Sequence, residues 1–211
     1  MPSGLTPLAA WTGWDVRGGA AAEPRAVEAF ARSAPPDGSP DAHYELLAVA
    51  GRGFRPPRFL STAHLEEDGA PDGEPEPVDP SLRATFSLVY RRIAETGPPE
   101  ETPFAIYLLG VDPPVGATEV ELVLFNEFYT GVHLPEVAER RHALRAVRYE
   151  LEQEVRAPYK PAPRFLAVYE VDEESAAHRR HKGPPYARGP EVWQRHTTPW
   201  RLWYRRLDPK E

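Results

Sequence analysis

Phe125-Asn126-Glu127-Phe128-Tyr129-Thr130-Gly131-Val132-His133-Leu134-Pro135-Glu136-Val137 is the stretch on which the reading of this chain turns. At helical periodicity, Val120, Leu124, Phe125, Phe128 and Val132 form one apolar stripe, which predicts a buried face. Asn126, Tyr129 and His133 fall together on its flank. Tyr129 and His133 are one helical turn apart, so their side chains can meet. Three polar groups beside a buried face are what a small pocket requires. Gly131 and Pro135 loosen the helix, because proline lacks a backbone donor and clashes one turn back. A restart is expected there, with Pro135 and Glu136 at the positive end and Arg140, Arg141 and His142 toward the negative end.

Working outward, the chain of 211 residues carries its net charge of −7 unevenly. Glu66, Glu67, Asp68, Asp72, Glu74, Glu76 and Asp79 match the whole of that excess, so the remainder is about neutral. No basic face invites nucleic acid. No apolar run approaches a membrane span and no leader opens the chain, so neither membrane insertion nor export is expected. The absence of cysteine excludes disulfides, thiolate metal sites and a cysteine nucleophile. A cytoplasmic location is the expectation.

Internal similarity is the strongest organising signal. Pro57-Arg58-Phe59-Leu60 recurs as Pro163-Arg164-Phe165-Leu166, and Tyr44-Glu45-Leu46 as Tyr149-Glu150-Leu151. Leu88-Val89-Tyr90-Arg91-Arg92-Ile93 recurs as Leu202-Trp203-Tyr204-Arg205-Arg206-Leu207. Three matches in the same order imply two copies of one unit, residues 1–96 and 103–211. In the first copy, alternation places strands at Leu8–Val16, His43–Ala50, Arg58–Leu65 and Leu82–Ile93, with a helix at Glu23–Arg32 opened by Pro24. In the second, strands are expected at Phe104–Val111, Arg145–Val155, Arg164–Val171 and Pro199–Leu207, with Thr118 capping the central helix. The second copy reads β-α-β-β-α-β, the ferredoxin-like unit, and the first is a degenerate version whose second helix is largely replaced by the acidic loop Glu66–Ser81. The sheet of such a unit needs a partner for the face its helices do not cover. The fold class is therefore α+β: two ferredoxin-like repeats whose antiparallel sheets pair into an intramolecular barrel. The chain is expected to be a monomer with an internal pseudo-dimer, with further dimerisation open.

Phe125-Asn126, Phe128-Tyr129 and His133-Leu134-Pro135, followed by Arg148-Tyr149 and Pro163–Glu170, resemble the EthD-like family of the dimeric α+β-barrel superfamily over roughly residues 104–207. That family usually has Trp at the positions of Phe125 and Phe128 and an acid at that of Thr130. The resemblance implies the barrel, and it implies a small conjugated or polyketide-like substrate. On this reading the protein is a cofactor-free enzyme performing cyclisation, dehydration or decarboxylation by proton transfer in an apolar barrel pocket. His133, Tyr129 and Asn126 are the catalytic candidates; Arg148, Tyr149, Tyr169 and Trp203 are the substrate-binding ones. Two alternatives stand beside it: a cofactor-independent monooxygenase on the same fold, and a non-catalytic ligand-binding protein.

Each candidate has a plainer role available. His133 could move a proton near neutral pH or merely tie the loosened helix. Tyr149 and Tyr169 could aim hydroxyls into the barrel or serve as core rings with the hydroxyl at the rim. Arg148 and Arg164 could hold a carboxylate or phenolate or lie on the surface. Trp11, Trp14, Trp200 and Trp203 could wall an aromatic site or pack between layers. No metal site is expected, since His178 and His181 lack a third ligand. Gly51-Arg52-Gly53 lacks the context of a phosphate loop. No cofactor is expected either; relatives of the superfamily bind haem, for which His43, His64 and His196 are the available axial residues. The acidic Glu66–Ser81 and the basic middle of Asp172–Pro199 occupy equivalent places in the two copies, so they either face each other or are separately solvated.

Overall fold

In the computed structural model, which describes residues 8–18, 22–35, 41–49, 55–65, 73–97, 101–158, 161–178 and 185–208, eight strands close into one antiparallel barrel. They are β1 (Leu8–Val16), β2 (Ala42–Val49), β3 (Phe59–Leu65), β4 (Leu82–Glu95), β5 (Ala105–Asp112), β6 (Arg145–Arg156), β7 (Phe165–Val171) and β8 (Thr197–Leu207). The helices are α1 (Glu23–Arg32), α2 (Glu119–Phe128), α3 (Leu134–Arg141), α4 (Glu173–Ala177) and α5 (Glu191–Gln194), with a π-helical turn at Tyr129–His133 joining α2 to α3. The barrel order is β1-β3-β2-β8-β5-β7-β6-β4. Each half thus contributes four neighbouring strands in the ferredoxin-like order, and β2–β8 and β6–β4 are the two seams.

The duplication read from the sequence reappears as reciprocal contacts. Tyr90 donates its hydroxyl to the Pro163 carbonyl at 2.7 Å, and Tyr204 donates to the Pro57 carbonyl at 3.1 Å, each reaching from one half into the other. Phe86 and Trp200, each four residues before those tyrosines, stack at 5.3 Å. Arg58 donates its backbone N–H to Asp15 at 3.0 Å and its guanidinium to Glu45; Arg164 repeats this with Asp112 at 2.6 Å and Glu150. A shared backbone geometry has kept the same polar fasteners in both halves.

Strand periodicity sends alternate residues to opposite faces. Inward residues from all eight strands, among them Trp11, Tyr44, Leu60, Tyr90, Leu108, Tyr149, Val168 and Leu202, pack into one cluster that fills the barrel. Rings and branched side chains of this cluster face one another across the barrel interior. The outward face of the second sheet carries Tyr107, Phe165, Tyr169 and Trp203 against α2, α3, α4 and α5. On the first sheet, Trp14, Phe59 and Leu82 pack under Ala26 and Phe30 of α1.

Helix α2 corrects an expectation. Thr118 does cap it, in a reciprocal box with Glu121. The stripe through Val120, Leu124 and Val132 nonetheless faces outward, at 70%, 45% and 43% exposure, while Phe125 and Tyr129 are fully buried. The cause lies below the helix: a buried arginine on β6 draws the Asn126–Thr130 flank inward, as described next. Of the acidic stretch, residues 66–72 lie outside the described part, as do 179–184 of its basic counterpart. Within the described residues, Glu74 pairs with Arg156 on β6 and Asp79 with Arg25 on α1.

Candidate functional site

The site begins with Arg148. Strand β6 aims this side chain at the helical layer, and it is 1% exposed. Its guanidinium lies between the rings of Tyr129 and Phe165, 4.3 and 4.4 Å from their centroids. Nη2 donates to Asn126 Oδ1 at 2.5 Å and Nη1 to the Thr130 hydroxyl at 2.9 Å; Nε is buried without a partner. The ion pairs found among the described residues include none to Arg148, and Glu150 is taken by Arg164. Desolvation brings its pKa down to about 10. A buried cation drawing on two neutral acceptors and two ring faces accounts for Asn126 and Tyr129, rather than Leu124 and Val132, facing the sheet.

The π-turn follows directly. Its wider winding carries the chain from Tyr129, beneath the helix, to His133, at the edge of an opening. Here a cavity of about 280 Å³ lies between β5 and β8 on one side and the π-turn, α3 and residues 186–198 on the other. Tyr107, Tyr186 and Trp193 supply flat walls; Leu109, Val111 and Val137 supply apolar floor; His133, His196, Arg141 and Arg201 supply polar groups. No carboxylate is among these lining residues.

The ring of His133 lies 4.6 Å from Trp193, 5.2 Å edge-on from Tyr186 and 5.6 Å edge-on from Tyr129. Its Nδ1 is buried without a partner, which leaves Nε2 as the nitrogen able to exchange a proton with a bound molecule. Burial depresses its pKa to about 4; Glu136 opposes this, while His196 and Arg140 add to it. The imidazole is neutral at pH 7. Tyr129 and Tyr169 carry buried hydroxyls without partners, and burial pushes both phenols well above their ordinary range.

A strap borders the opening. Arg140 donates to the Pro185 carbonyl at 3.2 Å and lies 4.4 Å over the Tyr186 ring, and Glu136 holds the next backbone N–H, that of Ala187. Gly189 then turns the chain at φ +66°, where a Cβ would come within 2.6 Å of both Phe128 and Trp193. Only a residue without a side chain lets the strap pass so close.

Of the sequence candidates, His133 lines the cavity. Trp203 lies under it, stacked on Tyr107 at 4.6 Å, and Tyr129 packs against His133 from below. Asn126 is committed to Arg148, and Tyr169 lies in the same buried layer. Tyr149 is on the opposite face of the sheet, edge-on to Trp11 at 5.7 Å inside the barrel, and belongs to no part of this site. Sequence reasoning passed over Tyr107, Arg141, Tyr186, Trp193 and Arg201. The alternation of β5 and β8 could have grouped Tyr107 with Trp203 and Arg201; the strap residues carried no such signal.

The histidines considered for haem lie in three different places. His43 stacks on Phe30 at 4.2 Å and bonds its carbonyl, His64 pairs with Asp41, and His196 stacks on Trp193 at 4.2 Å with Nδ1 on the Trp193 carbonyl. The cavity lined by His133 and His196 sits at the small end of ligand sites, roughly 300–1,000 Å³. Among the described residues no three His, Asp or Glu side chains gather as a metal site, and no helix is long and apolar enough to cross a membrane.

Fold and site together define a two-repeat α+β barrel protein with a ring-walled, cation-bearing cavity on the outer face of its second repeat. No family model matches the chain, and no curated protein matches it. Among solved structures it is similar to the crystal structure of a protein named as a chlorite dismutase, at 9% identity, with 97% of this chain and 96% of that one covered and a TM-score of 0.53. At that identity the likeness is one of fold.

Proposed function

We propose that the cavity of the second repeat is the active site of a cofactor-free, cytoplasmic enzyme that moves protons on a small conjugated substrate, as the EthD-like resemblance suggests. One observation carries the reading: His133 lines a ring-walled opening with its Nδ1 buried and unpartnered, and burial holds the imidazole neutral. A neutral imidazole can take a proton from an acidic carbon of a bound substrate, leaving an enolate and an imidazolium. Because burial disfavours the imidazolium, the proton is returned readily to another atom of the same molecule. Net proton relocation of this kind drives isomerisation, dehydration or ring closure. Tyr129 orients the imidazole from below, and Arg148 with Asn126 fixes Tyr129; these act as positioning residues. Trp203 backs the Tyr107 wall, and Tyr169 packs beside it.

The test needs no knowledge of the natural substrate. A small aryl 1,3-diketone is incubated with the protein in deuterated buffer, and exchange at its central carbon is followed by NMR. Acceleration over buffer, falling on the order of 10²-fold in His133→Ala, is expected. Equal rates in wild type and His133→Ala would remove His133 from the chemistry.

A further inference from the structure

We infer that the strap, residues 185–189, is a proton-operated latch: protonation of His133 draws Glu136 away from the strap and opens the cavity on its Tyr186 side. The inference deepens the function proposed above, as the regulation of the same site, and rests on that choice of site.

One carboxylate serves several claimants. Glu136 accepts the Ala187 N–H on both of its oxygens and also the Arg140 guanidinium. Arg140 in turn holds the Pro185 carbonyl and covers the ring of Tyr186, which lines the cavity. His133 stands three residues before Glu136, where the π-turn joins α3, a spacing that makes the two side chains neighbours. Its ring meets the strap directly, edge-on to Tyr186 at 5.2 Å. Its Nδ1 is buried without a partner. An unpaired buried N–H costs more on an imidazolium than on a neutral ring, because the charge must be desolvated as well. Glu136 is the carboxylate that acts on this ring, so a protonated His133 competes with Ala187 and Arg140 for it.

The other groups facing the ring favour the same outcome. Arg140 and Arg141 come from α3, Arg201 from β8, and His196 follows α5; each is a cation or becomes one in acid. Tyr107 of β5, Tyr129 of the π-turn and Tyr186 are phenols and bring no charge in acid. Trp193 offers a ring face to a cation but no acceptor for its N–H. Once the strap lifts, water reaches the imidazole, so the open form binds the proton more tightly and falling pH favours it. The latch is shut in the same neutral form of His133 that stands ready to take a proton from substrate.

The test is amide hydrogen exchange of the full chain at pH 7.5 and 5.5, above the range in which carboxylates titrate. Rates are divided by the intrinsic rate at each pH, and Val168 on β7 reports opening of the whole molecule. With His133 near its ordinary value of 6.5 in the open form, opening at Ala187 should rise about tenfold between the two conditions, while Val168 stays unchanged. His133→Gln should abolish the rise, and His196→Gln should keep it. No rise in wild type, a rise matched by Val168, one that survives in His133→Gln, or one lost in His196→Gln would overturn the latch. Exchange at the diketone carbon, measured on the same proteins, separates the latch from the chemistry. Acceleration there without an acid response at Ala187 leaves the base without the latch; an acid response lost in His133→Gln, without acceleration, leaves the latch without the base.

Discussion

Glu136 receives the backbone N–H of Ala187 on both carboxylate oxygens, at 3.2 and 3.1 Å, and so ties the strap to the first turn of α3. The same carboxylate bonds Arg140, which in turn holds the Pro185 carbonyl and the Tyr186 ring. Glu136→Ala removes the acceptor at the centre of this group. Hydrogen exchange at Ala187 is expected to quicken at least about tenfold, equivalent to about 1.4 kcal/mol of local opening, with little effect at β7. Unchanged exchange at Ala187 would mean that ring contacts alone hold the strap.

Thr130 offers a neutral oxygen to a buried cation. Thr130→Asp substitutes a charged acceptor at an exposed position 2.9 Å from Arg148 Nη1. Charge-assisted bonds are roughly twice as strong as neutral ones, so a gain of about 1 kcal/mol at pH 7 is expected, raising Tm by about 2–4 °C. The new carboxylate would have a folded pKa below its unfolded value. The gain is thus full above the unfolded carboxylate range and lost as pH falls through the folded pKa. A lower Tm at pH 7 would show that Arg148 gains nothing from a counter-ion.

His133 should make the fold acid-sensitive. Its folded pKa of about 4 lies below the ordinary histidine value of 6.5, so the unfolded chain binds the extra proton between those limits. Stability contributed by the neutral ring is complete above about pH 6.5 and is lost as pH falls toward 4, by on the order of 1–3 kcal/mol. His43 and His64 are shifted in the same direction, also by burial first. The measurement is therefore a difference: chemical denaturation of wild type and His133→Gln at pH 7.5 and 4.5. The variant should lose less on acidification, and parallel losses would contradict the burial of this ring.

Gly189→Ala should disturb the cavity from outside it. The added Cβ meets Phe128 and Trp193 at 2.6 Å, on a backbone with φ +66°. A cost of roughly 1–3 kcal/mol is expected from overpacking and backbone strain, together with a changed Trp emission as Trp193 shifts. A neutral variant with unaltered fluorescence would mean that the strap passes at a greater distance.

Much of the architecture was legible because strands announce themselves by period two. Leu8–Val16 and Glu23–Arg32 lie where alternation and Pro24 put them, and the repeated Pro-Arg-Phe-Leu became two matching corners with the same fasteners. The orientation of α2 was not legible. A helical wheel counts apolar residues, yet Val120 and Leu124 stay outside because the sheet beneath offers a guanidinium, and Asn126 and Thr130 satisfy it. The cavity was hidden for a related reason. Tyr107, Arg141, Tyr186 and Arg201 are far apart along the chain and are assembled by strand order and by a strap with no periodic pattern. Arg148 and Tyr149 are adjacent on β6, so they take opposite faces of the sheet: Arg148 faces the helices and Tyr149 the barrel, and one strand cannot bring both to one site.

The reciprocal hydroxyl bonds of Tyr90 and Tyr204 have a consequence for how the chain is made. One edge of β2 must wait for β8, far along the chain, and Tyr204, which reaches Pro57, arrives with it. The first sheet therefore emerges with its inner face bare and stays so until the second has been made. Contacts of such sequence separation form slowly and expose apolar surface meanwhile. The period of greatest vulnerability to aggregation falls during birth on the ribosome, and a protein of this design should depend on chaperones at that moment more than its finished, edgeless barrel would suggest.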